Sequence, residues 1–167
     1  MIKYSETLIK DCFLVSVDRH KDKRGFLQEV FNANEYPFVK TPWRQVNWSS
    51  SVKGTLRGIH VSPYGKLITC VKGRINDVAI DLRPESNTYL QWFAAVLDAD
   101  TPQQLYVPAN CGHAFLCLSD DCTVVYLQEG TYEPEEEHTL GFNKYNIPWP
   151  KMDYILSDKD SSAAGVY

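Results

Sequence analysis

At 167 residues, with 44% hydrophobic and 13% aromatic side chains, the chain is sized for one domain, 1–167, with a substantial core. A formal net charge of −4 without any basic run argues against a nucleic-acid partner. No apolar run approaches the roughly 20 residues of a membrane span, and the opening residues do not read as a signal peptide.

Residues 8–17 read as a first β-region, followed by a charged turn over 19–25 and a second strand over 26–31. The polar loop after it holds the one short helical candidate, around Asn34; helical periodicity is weak throughout. In residues 45–50, Gln45 and Asn47 fall on one face of a strand and Val46 and Trp48 on the other. The stretch 55–83 reads as two strands joined by a hairpin turn at Val61-Ser62-Pro63-Tyr64-Gly65, with His60 and Lys66 at its two sides. Beyond it Val78, Ile80 and Leu82 alternate with Asp77, Ala79 and Asp81 at a period of two. Further strands fall at 90–96, 104–107, 114–118 and 123–128, punctuated by Gly, Pro, Asn and Asp. The proline-interrupted tail from Tyr145 to Asp160 reads as a surface segment. This rhythm predicts an all-β jelly-roll sandwich with short helical or irregular peripheral segments.

Five cysteines (Cys12, Cys70, Cys111, Cys117 and Cys122), odd in number and without C-x-x-C spacing, fit free thiols of a cytoplasmic protein better than disulfides or a zinc knuckle. His60 and His113 lack a third ligand at metal-site spacing, so no metal is expected. With no nucleophile elbow, phosphate loop or dinucleotide fingerprint, acyl transfer and nicotinamide chemistry are disfavoured. Proton transfer is left: His60 as base, Lys66 as the cation for an oxyanion, a tyrosine to return a proton. Taken alone, His60 fits a structural imidazole better than a base, since a neutral imidazole satisfies buried hydrogen bonds well.

The motifs Asp22-Lys23-Arg24-Gly25-Phe26, Gln45-Val46-Asn47, Leu56-Arg57-Gly58-Ile59-His60, Gly65-Lys66-Leu67, Val107-Pro108 with His113-Ala114-Phe115, and Lys159-Asp160 occur in an order that resembles the dTDP-4-dehydrorhamnose 3,5-epimerase family. That resemblance covers nearly the whole chain and implies a cofactor-free epimerase on a dimeric cupin-type jelly roll. The substrate implied is a nucleotide-diphosphate-linked 4-keto, 6-deoxy sugar, inverted at C3, C5 or both.

By the same resemblance His60 is the catalytic base, Asp160 its partner carboxylate, Lys66 the cation at the 4-keto oxygen and Tyr126 the acid on the opposite face. Arg24 and Arg57 fall on diphosphate and substrate contacts, Tyr132 on the aromatic that stacks on the base, and Phe26, Glu29, Gln45, Asn47, His113, Glu137 and Lys159 on further substrate contacts. A homodimer is implied, paired through an exchanged strand near Phe26. The chain departs from the family pattern at Val46, at Leu127, at Asn110-Cys111-Gly112 and in the short loop between His60 and Lys66. Two other readings stand beside the epimerase: a 3,4-ketoisomerase on the same scaffold, and a nucleotide-sugar-binding module without turnover.

Overall fold

Alternation of side chains along residues 74–81 is realised as a central strand in a computed structural model, which describes residues 2–166. Among the described residues the chain forms β1 (Ile2–Glu6), β2 (Phe13–Val17), β3 (Arg19–Asp22), β4 (Gly25–Gln28), β5 (Gln45–Val52), β6 (Leu56–Val61), β7 (Lys66–Lys72), β8 (Arg74–Asp81), β9 (Trp92–Asp98), β10 (Gln103–Val107), β11 (Cys111–Cys117), β12 (Asp121–Gln128), β13 (His138–Thr139) and one helix, α1 (Asp158–Ala164). Two antiparallel sheets face each other, one ordered β1-β2-β10-β7-β12-β5 and the other β13-β6-β11-β8-β9, with β3 and β4 as a separate hairpin. This is the cupin-type jelly roll expected from the strand rhythm and the resemblance.

Three apolar layers hold it. Between the sheets lie Ile68, Cys70, Ile75, Ala79, Leu97, Leu105, Phe115 and Val124, drawn from both. The outer face of the five-stranded sheet presents Leu56, Ile59, Val78, Ile80, Ala114 and Leu116, and the tail covers it with Ile147 and Trp149. On the outer face of the six-stranded sheet, Val15, Val17, Leu67, Tyr106 and Leu127 are covered by Tyr36 and Phe38. Each large side chain fully withdrawn from water contributes roughly 1.5–3 kcal/mol, so the two covering segments are integral to the fold.

Several expectations need correction. Residues 8–12 form a turn, not a strand: Asp11 takes a φ of 64° and the Cys12 N–H returns to the Ile9 carbonyl at 3.1 Å. The strand begins at Phe13 and pairs with β1, which has no buried side chain and so left little signal. The charged turn is itself a hairpin whose arms are β3 and β4, closed at Asp22↔Gly25. The strand read at 90–96 starts at Trp92, since Leu90 adopts a φ of 66°. Asn34 lies in a turn, with the Glu35 N–H bonded to the Asn32 carbonyl. The tail buries Ile147 and Trp149 rather than lying on the surface, and ends in a helix that periodicity did not announce.

The largest correction concerns residues 61–65. β6 and β7 belong to different sheets, so the turn between them is a crossing from one wall of the sandwich to the other, not a hairpin. Gly65 is required there: a Cβ would lie 2.6 Å from the Tyr106 hydroxyl and 2.7 Å from Glu129 Oε2.

Candidate active site

β6 shows how the strands aim their side chains. In a regular strand, residues three apart point to opposite faces. Here Arg57 and His60 both face the same cavity, while Leu56 and Ile59 both join the outer core. A bulge reconciles them: the pairing with β11 shifts between His113↔His60 and Phe115↔Arg57, across Gly58 at a φ of +112°. A Cβ on Gly58 would come within 2.6 Å of the His113 carbonyl oxygen, so the glycine also permits the close approach of β11.

The cavity has a volume of ≈ 400 Å³. On the five-stranded side it is lined by Arg57 and His60; on the six-stranded side by Gln45, Asn47, Lys66, Tyr126 and Gln128; across the mouth by Tyr132, Glu137, Ser157, Lys159 and Asp160. Thus His60 and Tyr126 look into one space from opposite walls of the sandwich.

His60 Nε2 lies 2.8 Å from Asp160 Oδ1, and Asp160 is almost fully buried. Ser157 fixes the carboxylate twice: its Oγ accepts the Asp160 N–H at 3.1 Å as the helix N-cap and donates to Oδ2 at 2.9 Å. The segment before it is stitched to β6 by the Leu56 N–H on the Ile155 carbonyl and the Ile155 N–H on the Gly54 carbonyl. Burial raises the Asp160 carboxyl, but the hydrogen bond and charge of His60, with Ser157, outweigh it and hold it below the ordinary carboxylate range. An ionised Asp160 orients the imidazole through that hydrogen bond.

Burial lowers the Lys66 ammonium from its ordinary value and Glu137, 3.9 Å away, opposes that. Tyr126 is raised by burial, partly offset by Arg57, so the phenol keeps its proton and can act as an acid. Arg57 is braced by its Nε on Ser51 Oγ at 3.1 Å and its Nη2 on the Ser50 carbonyl at 3.2 Å. Among the described residues no three His, Cys, Asp or Glu side chains converge as a metal would require. A larger cleft of ≈ 720 Å³ lies around Asp11, Lys40, Arg83 and Glu129, but there Arg83 is held by Asp81 and Asp11, and Glu129 takes the Gly65 N–H and the Tyr106 hydroxyl.

The family profile described as dTDP-4-dehydrorhamnose 3,5-epimerase matches residues 6–166. A dTDP-4-dehydrorhamnose 3,5-epimerase of Mycolicibacterium smegmatis is 39% identical over 150 residues, covering 85% of this chain and 75% of that one. The chain belongs to the dTDP-4-dehydrorhamnose 3,5-epimerase family. A solved epimerase from Legionella pneumophila, in complex with dTDP-4-keto-L-rhamnose, superposes with a TM-score of 0.94 at 31% identity, over 98% of this chain and 92% of that one. The chain is also similar to a dTDP-4-dehydrorhamnose 3-epimerase of Streptomyces niveus, 34% identical over 93% of this chain and 79% of that one.

Set beside this epimerase family, the residues assigned by resemblance divide into two groups. His60, Tyr126, Lys66, Asp160, Gln45, Asn47, Arg57, Tyr132, Glu137 and Lys159 share the one cavity. Arg24, Phe26 and Glu29 do not reach it: Arg24 pairs with Asp22 in the β3–β4 turn, Phe26 is 61% exposed under the Arg19 guanidinium, and Glu29 is exposed beside Asn32. His113 does not line the cavity; it sits directly opposite His60 in the ladder, with Nε2 2.7 Å from Asp77 Oδ1. Asp77 is fully buried, its carboxyl raised by that burial against the pull of His113. Sequence reasoning missed Gln128 and Ser157, which also line the cavity. Gln128 follows Tyr126 at a period of two, and Ser157 precedes Asp160 at N-cap spacing, so both left a signal.

Proposed function

We propose that the protein inverts C3, C5 or both of a nucleotide-diphosphate-linked 4-keto-6-deoxy sugar without a cofactor. The observation that carries this reading is the placement of His60 and Tyr126 on opposite walls of one cavity, with Lys66 on β7, the strand beside that of Tyr126. A sugar ring lying in that gap has imidazole at one face and phenol at the other. His60 takes the proton α to the ketone through the ring nitrogen that Asp160 does not hold. The electron pair moves onto the 4-keto oxygen as an enolate, facing the Lys66 ammonium. Tyr126 then delivers a proton from the other side, which reverses the configuration. A single acid–base group on one face would only restore it. Each proton-transfer group contributes roughly 10²–10⁴-fold to the rate.

Arg57 and Lys159 supply cations for the diphosphate, and the half-exposed Tyr132 ring offers a face for the nucleobase. The family's names point to dTDP as the nucleotide. Arg24, Phe26 and Glu29 lie outside this chain's own cavity, and the apolar side chains Phe26, Leu27, Val46 and Trp48 are exposed. A homodimer in which the β3–β4 hairpin reaches a second copy would use both features. Five unpaired, buried thiols suit a reducing, cytoplasmic setting.

The test is incubation with dTDP-4-keto-6-deoxyglucose in D₂O, followed by NMR. Deuterium at C3 or C5 with inverted configuration is expected, and His60→Ala should abolish it. A migrated ketone would assign a ketoisomerase instead, and binding without any exchange would assign a module without turnover. Sedimentation at micromolar concentration should show a dimer; a monomer there refutes the exchange of the hairpin.

A further inference from the structure

The short loop between β6 and β7, where the chain departs from its family's pattern, brings two hydroxyls onto one carboxylate. We propose that Glu137 is a positioning residue for the reaction: held by Tyr64 and Ser62, its carboxylate keeps the Lys66 ammonium charged and fixed where the substrate ketone must lie. This rests on the epimerase reading above.

Both ions are withdrawn from water, the Lys66 side chain 9% and the Glu137 side chain 8% exposed, with Nζ and Oε1 3.9 Å apart. An ammonium this deep sheds its proton unless an anion stands against it. The carboxylate must in turn be stabilised, or it protonates. Glu137 Oε1 accepts from Ser62 Oγ at 2.7 Å and from the Tyr64 hydroxyl. Burial pushes the Glu137 carboxyl up, yet the two hydroxyls, Lys66 and His60 together bring it below its ordinary value. Tyr64 serves both charges, since its ring centroid lies 5.6 Å from Lys66 Nζ while its hydroxyl bonds the carboxylate. Burial and Glu137 raise the Tyr64 phenol, so it stays a donor through the working pH range.

Behind Tyr64 the hydrogen bonds form a line whose donors all point the same way. The Tyr132 N–H donates to Gln45 Oε1 at 2.8 Å, Gln45 Nε2 to Asn47 Oδ1 at 2.9 Å, Asn47 Nδ2 to Gln128 Oε1 at 2.8 Å, and Gln128 Nε2 to the Tyr64 oxygen at 3.1 Å. A chain of aligned donors that ends on a carboxylate polarises each member and strengthens the last bond. Glu137 Oε1 is thereby occupied by protein groups, which is the arrangement of a residue that acts through its neighbour.

The other charged or titratable groups lining the cavity with this pair are His60 and Arg57 from β6, Tyr126 from β12, Tyr132 from the loop after it, and Asp160 and Lys159 from α1. Asp160 is committed to His60. Arg57, Lys159 and the imidazolium formed during turnover all work against a charged Lys66, and Glu137 is the carboxylate paired with it. The need is greatest before proton transfer, since the enolate that then faces the ammonium helps to hold its charge.

The experiment follows the Lys66 side chain by NMR on protein labelled at lysine ¹³Cε, its resonance assigned by loss in Lys66→Arg. Glu137→Gln keeps the shape and removes the charge. It should lower the Lys66 midpoint by about one unit or more, a tenfold change in protonation, and move the alkaline limb of kcat to lower pH by the same amount. Tyr64→Phe keeps the ring and removes the hydroxyl. It should raise the Glu137 carboxyl midpoint by about one unit while leaving that of Lys66 within about 0.3 unit. A Lys66 midpoint unmoved in a folded Glu137→Gln overturns the proposal. If that variant does not fold, an unmoved Glu137 midpoint in Tyr64→Phe does so. The titration needs no turnover: a shifted Lys66 in a protein inactive on every 4-keto nucleotide sugar would remove the epimerase reading alone, and normal turnover with an unshifted Lys66 would remove the pairing alone.

Discussion

Replacing Asp160 by Asn isolates the charge behind the proposed base. The amide keeps the size of the carboxyl and can still bond the imidazole, but it no longer opposes the positive charge that His60 acquires on taking a proton. Two unit charges about 4 Å apart interact by ~4 kcal/mol at an effective dielectric near 20. His60 Nε2 and Asp160 Oδ1 are closer, at 2.8 Å, but the His60 side chain is 33% exposed and water screens it. A realistic share is about 2–3 kcal/mol, which corresponds to a ~30–150-fold loss of kcat. The assay is the initial rate of deuterium incorporation at neutral pH under saturating substrate, with Tm measured in parallel. The cap geometry at Ser157 survives the change, so Tm should move little. A loss below about threefold, or one expressed in KM with kcat intact, refutes the role given to Asp160.

Tyr126→Phe should still exchange deuterium at the carbon His60 reaches, while inverted product falls by roughly 10²-fold or more, read by the same NMR experiment. Gly58→Ala forces a side chain onto a φ of +112° and against the His113 carbonyl, so Tm should drop and kcat should fall with it as Arg57 and His60 lose their common face. Asp81 is buried, and although burial raises its carboxyl, Arg83, Ser86 and Thr88 hold it well below the ordinary range. Because the folded value lies below the unfolded one, near 3.9, the ionised form stabilises above that pH and its contribution is lost as pH falls toward the folded value. Asp81→Asn should therefore cost about 2 kcal/mol or more at pH 7, and the gap to the unmodified protein should narrow in acid, as urea titrations at several pH values would show.

Strands were legible where one face is buried and the other is not, as in β5, where Gln45 and Asn47 face the cavity and Val46 and Trp48 face out. In β8 both faces are buried, so the period of two marked the strand correctly and said nothing of which side held the site. Register was harder. Arg57 and His60 share a wall only because of the Gly58 bulge, and no periodicity in residues 55–61 reveals it. Likewise His60 and Lys66 meet across the gap between sheets, whereas local turn chemistry suggested two arms of a hairpin. Glu137 and Asp160 come from segments without strand or helix periodicity, and only the motif order pointed to them.

Asp160 shows why such a residue escapes local reasoning. α1 is seven residues long, well short of the ~12–15 at which an isolated helix becomes even marginal in water. Its cap contributes about 1 kcal/mol and cannot hold it in place by itself. What fixes Asp160 is the segment ahead of it: Ile147 and Trp149 buried on the outer face of the five-stranded sheet, then the backbone bonds of Ile155 to Gly54 and Leu56. The carboxylate thus meets His60 Nε2 at 2.8 Å, while His60 and Tyr126 line the cavity from opposite sheets. In the proposed reaction the base, His60, stands on one sheet and the proton donor, Tyr126, on the other. Inversion needs that division, and a two-sheet sandwich closed by its own tail supplies it.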